Sequence, residues 1–309
     1  MVAAAKPVRY FKCRSREWVM PVIVVHSSGD QGPYLAAAVM AATLARASGP
    51  LKAREQRGRT KVEKTRPRNP NKLTIGQHVF PMKSIERFTS QGKRVAVHDL
   101  HRGKIFPARP GNPIFLAFRA WDQRAESGYM KRIEDEFQEI VVPIVAGKTP
   151  TVAAEAKAAI DRMYALWYMR TRLREIESQE IQLNGIPGTN LTKEQEENLE
   201  ANRYLFVRGS GAMPACQLNG VELEMRTNNF ALDLASSVTR WGGISTQSGE
   251  FIVPDVPSHG IIPLMPQLAL VQSAPDGMIT EKNLAEINLA MRTLSQDYFF
   301  ARDLSKCPF

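Results

Sequence analysis

The sequence predicts an α+β fold: a mostly helical domain with a small β-sheet over residues 73–309, preceded by a basic, flexible N-terminal extension over residues 1–72. Three observations predict it. Apolar residues recur at three- and four-residue steps through several long windows, the period of helices with one buried face. Short apolar runs bounded by Gly and Pro stand between those windows, as short strands do. Charge, finally, is divided unevenly. Residues 1–72 hold 15 Lys and Arg against 4 acidic residues, a net +11 against +10 for the whole chain, so residues 73–309 sum to −1.

A chain of 309 residues, 43% hydrophobic and 23% charged, can bury one main core with an extension attached. Its three cysteines, Cys13, Cys216 and Cys307, are far apart and show neither a CxxC nor a Cys/His metal spacing. That argues against a disulfide framework and fits a reducing, cytoplasmic setting. No run reaches the roughly 18 apolar residues that span a bilayer. The nearest, residues 34–45, is followed by Ala45-Arg46-Ala47, a pattern that signal peptidase can cut; the 33 residues before it include Glu17 and Asp30, unlike a secretory leader.

Within the extension, residues 22–25 are apolar and residues 36–47 are rich in Ala, a good helix former. Residues 52–72 then carry Lys52, Arg54, Arg57, Arg59, Lys61, Lys64, Arg66, Arg68 and Lys72 against Glu55 and Glu63. Such a tract repels itself and has little apolar surface to bury. Three readings follow: a disordered extension or an over-long translation start, a tail that binds nucleic-acid phosphates without needing a fold, or a segment for targeting or membrane contact.

Beyond Leu73 the elements come in order. Lys93 to His98 alternates after Gln91-Gly92 and predicts a strand leaving a tight turn. Residues 129–142 place Met130, Ile133, Phe137, Ile140 and Val141 on one helical face, with Pro143 expected to end the helix or to follow it closely. Residues 152–183 form the longest helical window, with Ile160, Met163, Tyr164, Trp167 and Tyr168 in step, apolar nearly all round and therefore central and buried. A turn at residues 184–188 precedes a helix over 192–205, where Thr192 and Gln195 have the spacing of a capping box. A helix over 228–240, strands over 251–253 and Ile261–Met265, and a closing helix over 281–304 complete the prediction. In the last, Leu284, Ile287, Met291, Leu294 and Tyr298 face inward.

Gly76-Gln77-His78-Val79-Phe80-Pro81, followed by Phe88, Gly92 and a strand, resembles the opening of the bacterial domain of unknown function 4238 family. Arg132-Ile133-Glu134 is similar to that family's first acidic helix, and Ala165 to Thr171 to its central apolar helix ending in Arg-Thr. Trp241 followed by Phe251-Ile252-Val253-Pro254-Asp255-Val256-Pro257 resembles its strand leading to a Ser-Asp-Asn-Pro turn, and Glu286-Ile287-Asn288 resembles its closing helix. Pro254 and Val256 depart from the Ser and Asn of that turn, and the Leu expected after the His-x-x-Pro is missing. The resemblance covers residues 76 to about 303 and implies a fold and a bacterial origin, but no reaction.

Three residues stand out chemically. His78 offers a group that titrates near neutrality, as metal ligand or general base, or simply as a histidine that bonds a carbonyl and fixes its turn. Asp255 ends an apolar strand, where a carboxylate can be held rigidly for catalysis or can cap nearby N–H groups; His259 stands four residues on. Arg170 lies in the apolar window and needs partners, for which Glu134 and Asp255 are the candidates; as function it would clamp a phosphate or carboxylate. Glu134, Asp135 and Glu136 fan around a helix and cannot all converge. Tyr164, Trp167 and Tyr168 read as core rather than as a base-stacking platform.

Two functions compete. One is a metal-dependent phosphodiesterase or nuclease: His78, Asp255 and Arg170 are the catalytic candidates, and His78, Glu134 and Asp255 would hold a divalent cation such as Mg or Mn. The other is a non-catalytic regulatory module that binds nucleic acid or protein. In the first the basic extension supplies affinity for nucleic acid, and in the second it contacts nucleic acid or a partner; a small-molecule enzyme is a further reading. The sequence has no GxGxxG opening a helix, no GxxxxGK[ST], no HExxH, no GxSxG and no EF-hand loop; Gly209-Ser210-Gly211 is a lone turn.

Overall fold

The computed structural model describes residues 63–147, 152–174 and 180–309. The apolar runs at 22–25 and 36–47 and the basic tract up to residue 62 lie outside the described residues, as do residues 175–179 in the long helical window. The α+β class holds. In chain order the elements are β1 (Gly76–His78), α1 (Met82–Glu86), β2 (Val95–Asp99), β3 (Lys104–Ala108), β4 (Leu116–Phe118), α2 (Lys131–Val145), α3 (Lys157–Arg174), β5 (Ile181–Gln182), α4 (Lys193–Ala201), β6 (Ala212–Met213), α5 (Ala215–Ser237), β7 (Trp241–Ser245), β8 (Val253–Pro254), β9 (Ile261–Met265), β10 (Leu268–Gln272), β11 (Gly277–Met278), α6 (Glu281–Leu294) and β12 (Tyr298–Ala301). A π-helical turn, Ala125–Met130, runs directly into α2.

Two four-stranded sheets, ordered β3-β2-β12-β8 and β11-β7-β10-β9, are joined by the small ribbons β1-β4 and β5-β6. In the first sheet all pairs are antiparallel, with Tyr298 opposite Asp99 and Phe300 opposite Val97. Because side chains alternate across a sheet, this one divides two cores. Val95, Val97, Tyr298 and Phe300 enter the main core with Trp121, Trp167 and Trp241, whereas Phe299 and Ala301 enter a second core with Phe251, Leu284 and Met291.

Helix α3 runs through the main core; Met163 to Trp167 are all buried, as the apolar pattern there predicts, whereas Ala158 and Arg172 near its ends are exposed. Helix α4 starts on the expected capping box: the Gln195 N–H donates to Thr192 Oγ1 at 3.3 Å, and the Thr192 N–H to Gln195 Oε1 at 2.9 Å. Strand β9 has the predicted bounds, and β2 differs from its prediction by two residues at its start and one at its end.

Several elements differ from expectation. The strand expected at 251–253 is Val253–Pro254, and the helix expected to reach 205 ends at Ala201. Pro143 lies inside α2, which continues to Val145; so close to the helix end the missing N–H removes only one late bond. The window expected to stay helical to 183 instead gives β5, since Ile181 and Gln182 pair with Met213 and Ala212. The helix expected at 228–240 begins at Ala215 and ends at Ser237. Asn219 and Gly220 lower the propensity of its first half, but a side chain at 220 would collide with Asp122, whose Oδ1 lies 1.9 Å from the Cβ position. Close approach of α5 to the 119–125 segment, which only glycine permits, overrides propensity there. The closing helix, expected to reach 304, stops at Leu294, and Tyr298 is a strand residue.

Ordered contacts begin ahead of Leu73. Arg66 donates to Glu197 from its backbone N (2.5 Å) and its Nε (3.2 Å), and Glu63 pairs with Lys193 at 2.8 Å and with Arg208. Residues 63–72, assigned to the extension by composition, are therefore tied to α4 by charge.

Candidate functional site

The structure places each of the three chemical candidates among internal partners. His78 ends β1, is half-buried, and bonds the Pro110 carbonyl through Nε2 at 3.1 Å. Its place is that of a histidine that holds a turn.

Arg170 is 1% exposed and lies beside the π-helical turn. Its Nη1 donates to Glu134, its Nη2 is 3.9 Å from Glu126, its Nε contacts Met130 Sδ at 3.4 Å, and the guanidinium stands 5.7 Å from the Trp121 ring centroid. Trp121 Nε1 in turn donates to Glu126 at 2.6 Å. Of the two expected partners Glu134 is the real one, and the guanidinium spends its charge inside the protein.

Asp255, 4% exposed, follows β8. Its Oδ1 accepts the Gln296 N–H at 2.9 Å and its Oδ2 the Asp297 N–H at 2.7 Å, while its carbonyl accepts Thr171 Oγ1 at 3.3 Å. Burial pushes its carboxyl up, opposed by those two N–H donors. His259 is exposed, with a left-handed backbone (φ 54°), and both Asp255 oxygens are already engaged elsewhere.

The expected metal site is not assembled. Among the described residues no three His, Cys, Asp or Glu side chains are placed to hold a metal ion. Glu134 is turned to Arg170, Asp255 to the chain between α6 and β12, and His78 to Pro110. The aromatic set is structural: Tyr164 and Trp167 are buried, and Tyr168 packs on Phe230 with ring centroids 5.0 Å apart.

Two polar constellations escaped the sequence reading. The first is buried between the 119–125 segment, α4 and α5. Arg119 grips Glu200 with two bonds of 2.8 Å, Asn219 Nδ2 donates to the Ala120 carbonyl at 2.6 Å, and Asp122 is 0% exposed with Arg124 Nε at 3.4 Å. Burial raises the Asp122 carboxyl to about 7; Arg124 opposes this, Glu200 and Glu224 add to it, and the Ala125 N–H opposes it. Folded Asp122 therefore keeps a proton that the unfolded chain has released. Stability falls as pH rises from the ordinary value of 3.8 to about 7 and is level beyond. We expect a loss of about 2–3 kcal/mol between about pH 5 and pH 8 in urea unfolding, and Asp122→Asn should remove most of that slope. An unchanged slope in the variant would assign it elsewhere, first to Glu224, whose carboxyl burial also raises.

The second is the β2–β3 hairpin. Residues 91–109 contain Lys93, Arg94, Arg102, Lys104 and Arg109 against the single acid Asp99. Asp99 turns inward and accepts the His101 and Arg102 N–H groups at 3.0 Å, closing the hairpin turn. A groove of about 220 Å³ opens on this hairpin, lined by Ser90, Arg94, Ala96, Ile105, Pro107 and Arg302 among others. The signal that would have found it is charge summed over a short window. Summed over residues 73–309, it vanishes into −1.

No family model, curated protein or solved structure matches this chain.

Proposed function

We propose that this protein is a non-catalytic nucleic-acid-binding module. The observation that carries this reading is that His78 (through Nε2), Arg170 and Asp255, the groups best suited to catalysis, bond separate internal partners, and two of the three are sealed from solvent. A catalytic group must reach a substrate; these hold turns and helix ends. The affinity would come from sequence-independent attraction of phosphates to the net +11 of residues 1–72. A metal-dependent phosphodiesterase built on His78, Glu134 and Asp255 lacks this geometric support.

The test is direct. Full-length protein is incubated with labelled RNA and DNA in Mg²⁺ or Mn²⁺, and cleavage and binding are followed in parallel. Binding without cleavage is the expected result. Cleavage that depends on the cation and is lost in a folded Asp255→Ala protein would overturn the reading.

A further inference from the structure

The body itself carries a surface suited to the same class of partner. We infer that the β2–β3 hairpin is a docking surface for the phosphodiester backbone of nucleic acid, an inference that rests on the nucleic-acid reading above.

The body from 73 to 309 sums to −1, yet this one hairpin gathers five cations around one inward-turned acid. Lys93, Arg94, Lys104 and Arg109 are all exposed, and no hydrogen bond or ion pair engages their side chains among the described residues. Arg102 is held only loosely, 3.7 Å from Asp99 with its side chain 77% exposed. Several of the body's other arginines are spent inside it: Arg119 on Glu200, Arg124 on Glu224, Arg170 on Glu134 and Arg208 on Glu196.

Placement sharpens the point. Val95 pairs with Ala108, so Arg94 and Arg109 are the next residues on adjacent strands, with Lys93 beside them. Like charges set across two strands repel, and among the described residues no acid pairs with either arginine. An edge strand does use Lys and Pro to discourage strand addition, and Lys104 and Pro107 of β3 serve that end. Lys93, Arg94 and Arg109 lie outside the paired strands and are not accounted for by it. Arg302, beside the groove, is spent on Glu250 through Nη2 at 2.5 Å and Nε at 3.0 Å, so the cations left for a ligand are those of the hairpin itself.

The chemistry selects phosphate over bases. Phe106, the groove's aromatic residue, packs against the main core, and the outward apolar residues Ile105 and Pro107 offer no ring to stack on a base. Alternation puts Arg94 and Arg109 on the groove face and Lys104 on the other, so the cations border both faces of the edge strand. Five residues of strand, about 17 Å, separate the open end from Lys104 and Arg102 at the turn. In a duplex that covers about five phosphates of one strand. Binding should therefore be indifferent to sequence and sensitive to salt.

The test uses the full chain. Lys93→Gln, Arg94→Gln, Lys104→Gln and Arg109→Gln are combined in one variant, and Lys52→Gln, Arg54→Gln, Arg57→Gln, Arg59→Gln and Lys61→Gln in another. Affinity for a labelled RNA and a labelled DNA is measured against salt. The hairpin variant should lose about 30- to 1000-fold in affinity and show a salt slope shallower by about 3. On the unmodified protein, bound nucleic acid should protect Lys93 and Lys104 from an amine-reactive label, a readout independent of any variant. A wild-type protein that binds nucleic acid with the hairpin variant equal to it and Lys93 and Lys104 unprotected would overturn the hairpin site and leave the nucleic-acid reading standing, with the extension variant then carrying the loss. No binding by the wild-type protein would overturn both. Hairpin-dependent binding to anionic phospholipid vesicles, without binding to RNA or DNA, would replace the partner.

Discussion

Arg170→Ala is expected to destabilise the protein by about 3–4 kcal/mol in urea unfolding, while leaving nucleic-acid affinity unchanged at temperatures where the variant is folded. The substitution removes a buried guanidinium from between Trp121, Met130 and Glu134, and it opens space beside Trp121 and Met130, two fully buried residues of the main core. The figure sits low in the range for broken buried pairs because the abandoned carboxylates keep a route to water: the side chains of Glu126 and Glu134 are 19% and 26% exposed. Arg170→Met, which keeps the stem and fills most of the space, should cost about half as much. A variant with near wild-type stability and impaired binding would instead make Arg170 a ligand clamp.

Asp255→Ala is expected to cost about 2–4 kcal/mol, because it strands two N–H donors in a half-buried turn. Those donors, Gln296 and Asp297, are the residues on which the chain leaves α6 and enters β12. Hydrogen exchange should therefore speed up at both amides and along β12. Asp255→Asn should recover little, since its amide nitrogen would face one of the two donors. A carboxylate used for chemistry would behave differently: the Asn variant would stay stable, and cleavage rather than exchange would change. The same measurement thus separates a positioning carboxylate from a catalytic one.

These two residues also mark how far the sequence could be read. Arg170 was legible as a buried cation in need of an acid, and Glu134 was one of its two named partners, because a guanidinium inside an apolar helix leaves few alternatives. Asp255 was legible as a rigid carboxylate at a strand end, but its partners were not. They stand on residues that helical periodicity had assigned to the closing helix: Leu294 and Tyr298 are four apart and both apolar, so the pattern runs on past the real end. The helix stops where a carboxylate brought from β8 captures its next N–H groups and where Tyr298 finds Asp99 as its strand partner. Neither event leaves a trace within a few residues of the break.

The buried Asp122 network was invisible for a related reason. Asp122, Asn219 and Glu200 lie in three separate stretches of chain, each ordinary on its own, and only the close approach permitted by Gly220 joins α5 to the 119–125 segment. The hairpin was missed differently. Its residues are contiguous, and a strand was predicted there, but averaging charge over the whole body concealed them.

By itself the sequence determined what depends on near neighbours: the α+β class, the buried central helix, the Thr192 capping box, the strand at Ile261–Met265 and the segregation of positive charge into the first 72 residues. Periodicity, caps and charge runs act over a few residues, so they can be read in one dimension. Tertiary structure alone decided where helices gave way to strands and whether a polar side chain is free or consumed. His78, Arg170 and Asp255 have the same residue types in either case. What distinguishes a catalytic group from a structural one is the partner opposite it and the water around it, and both are supplied by distant parts of the chain.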